Sequence, residues 1–428
     1  MTGTTTRTSE LDSGVRVVTE AVPSVRSVAL GIWIRTGSRD EGLAQAGVSH
    51  FLEHLLFKGT PRYSAIELNE RFDSLGASFN AATSKETTNV HARFLDEHTE
   101  EVLDLMAEMV LHPTLPPDEV DSERQVVIEE ISMYEDEPQD KVHDVLDRAV
   151  FGDHPLGRRI IGSSEVIARI PVDQIAEYRS ARYRGPNLVV TAAGNLDHDR
   201  LVELSAKYLD AQQGSKDPEP DEHAGEGSGY EFQIKDTEQY HLCLGGPGLS
   251  RGDERRYALR VLNTLLGGAS SSRLFKEVRE KRGLAYSVGS YLASYRETGM
   301  LGIYVGTRED RVAEAMEVVG SELDKLCSEP IPAGELDRAK ETLKGRLVLG
   351  QESMGARMSA LAAATLFDLP ILSLDEMIGK IEAVTPDEIG GLASEILSPE
   401  GFSAAAIGRD ESVFRTAVAS ISDSPAAR

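Results

Sequence analysis

Apolar and polar positions along the chain follow two different spacings. Val28–Ile34 has the short apolar pattern of a strand, whereas Glu100–Leu111 and Glu123–Tyr134 carry apolar residues at helical spacing. Prolines mark a turn between two helices in each half of the chain, at Pro113, Pro116 and Pro117 and again at Pro330 and Pro332. The pattern predicts an α+β fold.

One stretch divides the chain, because residues 211–229 are rich in Gly, Ser, Pro and acids and predict a linker. The segments on either side look like copies. Asp173 and Asp387 are separated by the same interval as Gly194 and Gly408, and each pair lies in a similar local sequence. We therefore expect two homologous domains, at residues 1–210 and 230–428.

Composition limits the classes of partner. The 428 residues include 45 Lys and Arg against 71 Asp and Glu, a net charge of −26 that argues against nucleic acid or an anionic membrane as a partner. A basic peptide would be attracted, although such acidity more often serves solubility. Two cysteines, Cys243 and Cys327, form no disulfide framework, and Met1–Glu10 lacks the apolar core of a signal peptide. A cytoplasmic location is expected.

The candidate chemistry lies in His50-Phe-Leu-Glu-His54, inside the apolar run Val48–Phe57. On a helix, His50 and His54 stand one turn apart on one face with Glu53 beside them, so the segment offers two metal ligands and a general base. The order H-x-x-E-H is the inverse of the zincin motif and is termed the inverzincin pattern. The alternative is a pair of helix histidines that face solvent or make a polar core contact.

The internal repeat helps to distinguish a metal site from a pair of structural histidines. A structural role should survive in both copies, whereas a catalytic one need not. Near their starts, the copies align at the Asp-Glu pairs that begin with Asp40 and Asp253. This alignment places the following residues opposite His50, Glu53 and His54: Asn263, Leu266 and Gly267. The second copy has no site, which favours a chemical role in the first.

A catalytic zinc ion takes three protein ligands and keeps one position for water, so a third ligand is needed. The predicted helix Asp118–Ser132 offers Glu123, Glu129 and Glu130, and spacing alone does not choose among them. Glu123 and Glu130 are two turns apart and share a face, although a solvated acidic face is the common alternative. The residues opposite them in the second copy are Ala339 and Arg346.

The segments His50–Thr60 and Glu123–Glu130 resemble the pitrilysin family of zinc peptidases, and the resemblance covers nearly the whole chain. Within the family the match looks closest to the β-subunit of mitochondrial processing peptidase and its small bacterial relatives. The resemblance implies two pitrilysin-like αβ rolls, each a mostly antiparallel sheet packed with helices, with metal only in the first. It implies one Zn²⁺ per chain, held by His50, His54 and Glu130, with Glu53 as base and Glu123 as a supporting carboxylate.

The resemblance also implies substrate contacts. Arg279 and Tyr286 match the Arg and Tyr with which the family's non-metal half reaches the substrate, although an exposed helix Arg and a packed Tyr explain them equally well. Gly76–Thr83 matches the edge strand that pairs with an extended peptide, with Asn80 and Ala81 at its centre. An ordinary core strand is the alternative for that segment.

The predicted function is a zinc-dependent endopeptidase, of the EC 3.4.24 type, that cleaves short or unfolded peptides. Larger relatives enclose the substrate with four such domains, so we expect a homodimer, with a heterodimer containing an inactive homologue left open. Two alternatives remain from other classes. One is a noncatalytic peptide-binding or assembly subunit of the same fold, and the other is a metal-binding structural module.

Overall fold

The computed structural model describes residues 5–209, 214, 229–398, 401–419 and 421. The chain forms two compact units, and each takes a segment from the other half of the sequence. The first unit comprises residues 1–132, 159–219 and 349–371, and the second comprises residues 133–158, 220–348 and 372–428. The predicted linker, residues 211–229, lies outside the described residues except for Gly214 and Gly229. The domain limits at residues 1–210 and 230–428 were inferred from the sequence repeat, and they remain predictions.

The first unit contains a six-stranded sheet with the strand order β1-β2-β6-β3-β5-β4. Its neighbours are antiparallel except for β2 and β6, which are parallel. The strands are β1 Thr5–Glu10, β2 Arg16–Ala21, β3 Ser27–Ile34, β4 Ser78–Thr83, β5 Thr88–Leu95 and β6 Leu188–Gly194.

The second unit contains a five-stranded sheet with the order β7-β11-β8-β10-β9. Its strands are β7 Tyr230–Ile234, β8 Tyr240–Gly248, β9 Ala285–Ser294, β10 Gly299–Thr307 and β11 Ser403–Gly408. The first pair, β7 and β11, is parallel, and the following pairs are antiparallel. The series from β2 to β4 in the first sheet has the same order and polarity. The mostly antiparallel α+β fold is therefore confirmed, and its topology supports a duplication.

The helices of the first half are α1 Val48–Leu55, α2 Ala65–Ser74, α3 Thr99–Leu111, α4 Pro117–Asp136, α5 Pro138–Phe151, α6 Ser164–Ile167, α7 Val172–Arg182 and α8 His198–Tyr208. Those of the second half are α9 Arg256–Leu266, α10 Val312–Ser328, α11 Ala333–Gly350, α12 Met354–Leu366, α13 Leu374–Ala383, α14 Pro386–Ile396 and α15 Glu411–Ala419. A π-helix, Phe275–Glu280, precedes β9. The predicted proline turns lie between α3 and α4 and between α10 and α11.

Helices cover both faces of the first sheet. On β3, the even-numbered residues from Val28 to Ile34 pack against the apolar sides of α1, α3 and α8. On the other face, Ala29 and Trp33 pack against Met354 and Met358 of α12. Burial on both faces explains why every residue of β6 is buried and why apolar residues predominate in it without alternating with exposed polar ones.

The second sheet is covered in the same way, with α5 on the outer face. Leu146 and Val150 of α5 pack in a buried cluster with Cys243 and Ile407 of the sheet. Gly245 leaves room for this helix, because a Cβ there would lie 2.6 Å from Val150 Cγ2 and 3.0 Å from Leu146 Cδ1. Each unit thus uses a helix from the opposite half of the sequence as its outer layer.

No helix in the described part of the chain is long and apolar enough to cross a membrane.

The packing of α5 predicts a stability effect. Leu146→Ala removes a fully buried side chain from a tightly packed interface, and we expect a loss of about 2–5 kcal/mol in the free energy of unfolding. Urea denaturation followed by circular dichroism measures it. The matched control is Gln139→Ala on the exposed side of α5, expected within about 0.5 kcal/mol of the parent. Equal effects of the two substitutions would show that α5 does not pack as described.

Candidate metal centre

The apolar residues of α1 are buried on one side of the helix, which leaves the two histidines and the glutamate of the H-x-x-E-H segment on the other side. Phe51, Leu52 and Leu55 are fully buried, so His50, Glu53 and His54 lie on the partly open face. The helix starts at a left-handed Gly47 (φ 96°), where a Cβ would lie 2.7 Å from Ile161 O. The segment is therefore helical, which is the condition under which its spacing offers two ligands and a base.

A buried carboxylate, which the sequence analysis did not single out, holds the first turn of α1. Glu41 accepts hydrogen bonds from the backbone N–H groups of Gly47 and Ser49, at 2.7 Å each. These are amide groups that a helix start leaves without internal partners, and a carboxylate there also suits the helix dipole. Glu41 lies several residues before the helix in an irregular segment, where no simple spacing rule would find it.

Three side chains from α1 and α4 converge on one point. Glu130 Oε1 lies 3.8 Å from His50 Nε2, and Glu130 Oε2 lies 3.4 Å from His54 Nε2. Ligands bound at zinc distances of about 2.1 Å in tetrahedral geometry are roughly 3.4 Å apart, so these three groups fit a single ion. In the described part of the chain, no other group of three or more His, Cys, Asp or Glu side chains is close enough to hold a metal.

Spacing in the sequence did not show which of three glutamates is the third ligand, but in the structure they occupy different positions relative to the histidines. Glu130 faces the two imidazoles, with its side chain 45% exposed. Glu129 is exposed and lies outside the group of metal-ligating atoms. Glu123 is 5% exposed and lies behind His54, with Oε1 2.8 Å from His54 Nδ1.

Glu123 determines which nitrogen of His54 is available. An ionised carboxylate only accepts hydrogen bonds, so Nδ1 carries the proton and Nε2 is left with its lone pair for a metal. Burial alone would raise the pKa of Glu123, but the hydrogen bonds from His54 and Lys58 outweigh it and lower the pKa. Lys58 forms an ion pair with Glu123 Oε2. Lys58 lies four residues after His54 in the sequence, and this helical spacing could have identified it as a neighbour of the His54 side.

The pKa values of the two histidines are shifted in opposite directions. Burial, followed by the charge of His54, lowers the pKa of His50 to about 4, so His50 is a neutral ligand at pH 7. Its Nδ1 is buried and has no hydrogen-bond partner among the described residues. Burial also lowers the pKa of His54, but the hydrogen bond to Glu123 and the nearby carboxylates raise it overall.

Glu53 is held beside the metal ligands by the sheet edge. Thr83 Oγ1 at the end of β4 donates a hydrogen bond of 2.6 Å to Glu53 Oε2, which the sequence analysis did not predict. Burial raises the pKa of Glu53 above its ordinary value, although the Thr83 hydrogen bond and the charge of His54 oppose the shift. A carboxyl group with a raised pKa takes up a proton more readily than an exposed one, as a general base requires.

The candidate peptide-binding residues lie on an edge strand. β4 pairs only with β5 and ends the first sheet. The Asn80 side chain is exposed, and its Oδ1 accepts a 2.9 Å hydrogen bond from Ala81 N. Asn80 and Ala81 thus lie on an edge strand of the described sheet, whose Ala81 side chain packs into the core of the first unit.

Arg279 and Tyr286 lie together in the second unit. The Arg279 guanidinium carbon is 4.7 Å from the centre of the Tyr286 ring and 4.8 Å from that of Phe275. Tyr286 is 77% exposed, an unusual position for a large aromatic side chain. The exposed Tyr286 does not match the packed tyrosine of the alternative, whereas Arg279 lies on the π-helix with a partly exposed side chain, as an exposed helix Arg would.

In the second unit, the residues opposite the metal ligands have structural contacts. Asn263 Oδ1 accepts a 2.7 Å hydrogen bond from Ser290, and Leu266 is fully buried. Arg346, opposite Glu130, donates a 2.8 Å hydrogen bond to Gly268 O. Among the described residues, a guanidinium group and an amide replace metal-ligating groups, so this copy has no comparable metal site.

Comparisons with known proteins agree with this asymmetry. Residues 16–164 match the description "Insulinase (Peptidase family M16)", and residues 169–343 match "Peptidase M16 inactive domain". A Streptomyces coelicolor protein described as an uncharacterized zinc protease is 41% identical, covering 92% of this chain and 87% of that protein. A Bacillus subtilis protein with the same description is 42% identical, covering 91% and 95%.

The solved structure of a protease from Helicobacter pylori has the same fold. Its TM-score is 0.89 with 22% sequence identity, and the match covers 95% of this chain and 99% of that one. The predicted resemblance is confirmed by the two family matches and by relatives that are about 41% identical over nine-tenths of the chain. This chain belongs to peptidase family M16, the pitrilysin family that its motifs indicated.

Proposed function

We propose that this chain is a zinc-dependent endopeptidase that cleaves short or unfolded peptides in extended form. The observation that carries the proposal is the convergence of His50, His54 and Glu130 beside a Glu53 that is left out of the ligand group. The relatives described as zinc proteases support zinc as the metal, and we propose one ion per chain.

The protein's own groups have distinct roles in this reaction. When bound, zinc supplies a Lewis acid that polarises a carbonyl and lowers the pKa of water to about 7. Glu53 accepts the proton of the attacking water at Oε1, because Thr83 occupies Oε2. The same carboxyl group then delivers the proton to the leaving amine. Glu123 keeps His54 in the tautomer that presents Nε2.

The open edge of β4 supports binding of an extended peptide. A strand that pairs on one side only leaves backbone donors and acceptors for a second strand, and such pairing needs little side-chain specificity. Asn80 and Ala81 are proposed to lie along this peptide, with Thr83 at the Glu53 end. The predicted role of Arg279 and Tyr286, contact with substrate and its developing oxyanion, is supported by their exposure and stacking.

The assembly is proposed to be a dimer that encloses the substrate, as in a processing peptidase. A homodimer suffices, since the chain carries both the metal half and the Arg279–Tyr286 pair, and a heterodimer with an inactive homologue is the second form. The proposed location is the cytoplasm. The alternative function, a noncatalytic peptide-binding or assembly subunit, is less well supported because Glu53 retains a base's position.

Glu53→Gln tests catalysis apart from metal binding. We expect zinc content close to that of the parent, because Glu53 is not a ligand, and a fall in kcat/KM of roughly 10²–10⁴-fold because the base is lost. Zinc is measured by atomic emission and cleavage with a fluorogenic unstructured peptide. Glu129→Gln, an exposed acid on α4, is the control and should behave like the parent. Undiminished cleavage by Glu53→Gln would refute the mechanism.

Glu130→Gln tests the third ligand against its neighbour in sequence. We expect its zinc affinity to fall by more than the ~10–100-fold typical of residues that contact a ligand rather than the metal. Competition with a zinc chelator gives the affinity, and Glu129→Gln again serves as the matched control. A similar loss in both variants, or in neither, would contradict the assignment of Glu130.

The net charge of −26 favours basic peptides as substrates. If long-range attraction contributes, kcat/KM for a Lys-rich peptide should fall several-fold between about 0.01 and 0.15 M salt, as the Debye length shortens from roughly 30 to 8 Å. A neutral peptide that shares the cleavage site is the control. Equal salt dependence for the two peptides would contradict the proposed preference for basic substrates.

A further inference from the structure

Both oxygens of the Glu123 carboxylate are occupied. Oε1 lies 2.8 Å from His54 Nδ1, and Oε2 forms the ion pair with the Lys58 ammonium group. The Glu123 side chain is 7% exposed and that of Lys58 is 28% exposed. A buried carboxylate with two partners has one orientation, whereas one bonded only to His54 can turn about its terminal bond.

The backbone places Lys58 on a hydrogen-bonded turn that follows α1. Beyond Leu55, the turn continues through hydrogen bonds from Phe57 N to His54 O, 3.2 Å, and from Lys58 N to Leu55 O, 3.1 Å. These hydrogen bonds place Lys58 about one turn after His54 along the chain. His54 and Lys58 contact Glu123 of α4 from the same helix end.

We propose that Lys58 is a positioning residue for the metal, which fixes Glu123 Oε2 so that Oε1 stays directed at His54 Nδ1. The inference rests on the proposed zinc site and adds a residue to it. In the described part of the chain, the Lys58 ammonium group pairs with the Glu123 carboxylate, through which it is proposed to act. The expected result of its loss is weaker zinc binding, because His54 then loses its fixed ring orientation.

A simple charge effect predicts the opposite sign. An ammonium group near the centre repels a divalent cation, so its removal would strengthen zinc binding if Lys58 contributed only charge. The second half of the chain agrees with a paired role. Ala339 stands opposite Glu123, and the alignment that places Asn263 opposite His50 also places Ser271 opposite Lys58. Both members of the pair are missing where the metal ligands are missing.

Zinc affinity of the full-length protein, measured by chelator competition, tests the proposal. We expect Lys58→Met to weaken zinc binding by roughly 10–100-fold and Lys58→Arg to restore most of it, since a guanidinium group can also bind Oε2. The double variant Lys58→Met with Glu123→Gln should bind no more weakly than Glu123→Gln alone, because the two act through one contact.

Two controls distinguish loss of the Lys58–Glu123 contact from a general loss of charge and from structural damage. Lys207→Met removes the same charge from an exposed position on α8 and should change the affinity less than about twofold. Thermal unfolding of the metal-free variants reports structural damage, and if Lys58→Met is damaged, Lys58→Gln takes its place. Unchanged or tighter zinc binding, or additive effects in the double variant, would overturn the proposal. Failure of the parent to bind zinc would instead refute the proposed function.

Discussion

The contact between α1 and α4 is the constraint on which the metal centre depends. The Arg124 guanidinium carbon lies 5.4 Å from the centre of the Phe51 ring, and the same guanidinium donates a 3.0 Å hydrogen bond to Ile170 O. Val127 is fully buried beside this contact. Because one face of α4 is committed to the core, Glu123 and Glu130 are directed at the histidines of α1. Three ligands from two helices therefore need no loop to bring them together.

Local patterns predicted much of this site. H-x-x-E-H fixes its own geometry once the segment is helical, and the apolar run around it made a helix the natural expectation. Pro117 marked the start of α4, so Glu123 and Glu130 could be placed on one helix face. Choosing between them required the packing of two helices far apart in sequence, which spacing does not contain.

Other features of the structure could not be predicted from local sequence patterns, because they depend on contacts between distant segments or on irregular chain. Strand order depends on pairing between distant segments, so the sequence predicted strands but not the order of the sheets. The apolar residues of α5 and α12 indicate that one side of each helix is buried, but not which sheet it packs against. Glu41 and Thr83 act through irregular chain or a strand end, where no periodicity directs attention to one polar residue.

Among the described residues, the two similar sheets differ in that the His50–His54–Glu130 group occurs in one unit, and the contacts show what occupies the equivalent positions in the other. Its equivalent positions are occupied by groups that satisfy the backbone or fill the core, such as Arg346 on Gly268 O and the buried Leu266. The metal site is thus an addition to a scaffold that does not require it for folding. Stability of the first unit is accordingly expected from the burial of its sheet.

The use of α12 as the outer layer of the first sheet has a consequence for biosynthesis. β6 ends at Gly194, whereas α12 begins only at Met354, after most of the second half has been synthesised. At translation rates of roughly 5–20 residues per second, the apolar surface around Trp33 and Val189 stays uncovered for about 8–30 seconds on the ribosome. The nascent first half therefore resembles an exposed folding intermediate, and it becomes a complete layered structure only when α12 has left the ribosome.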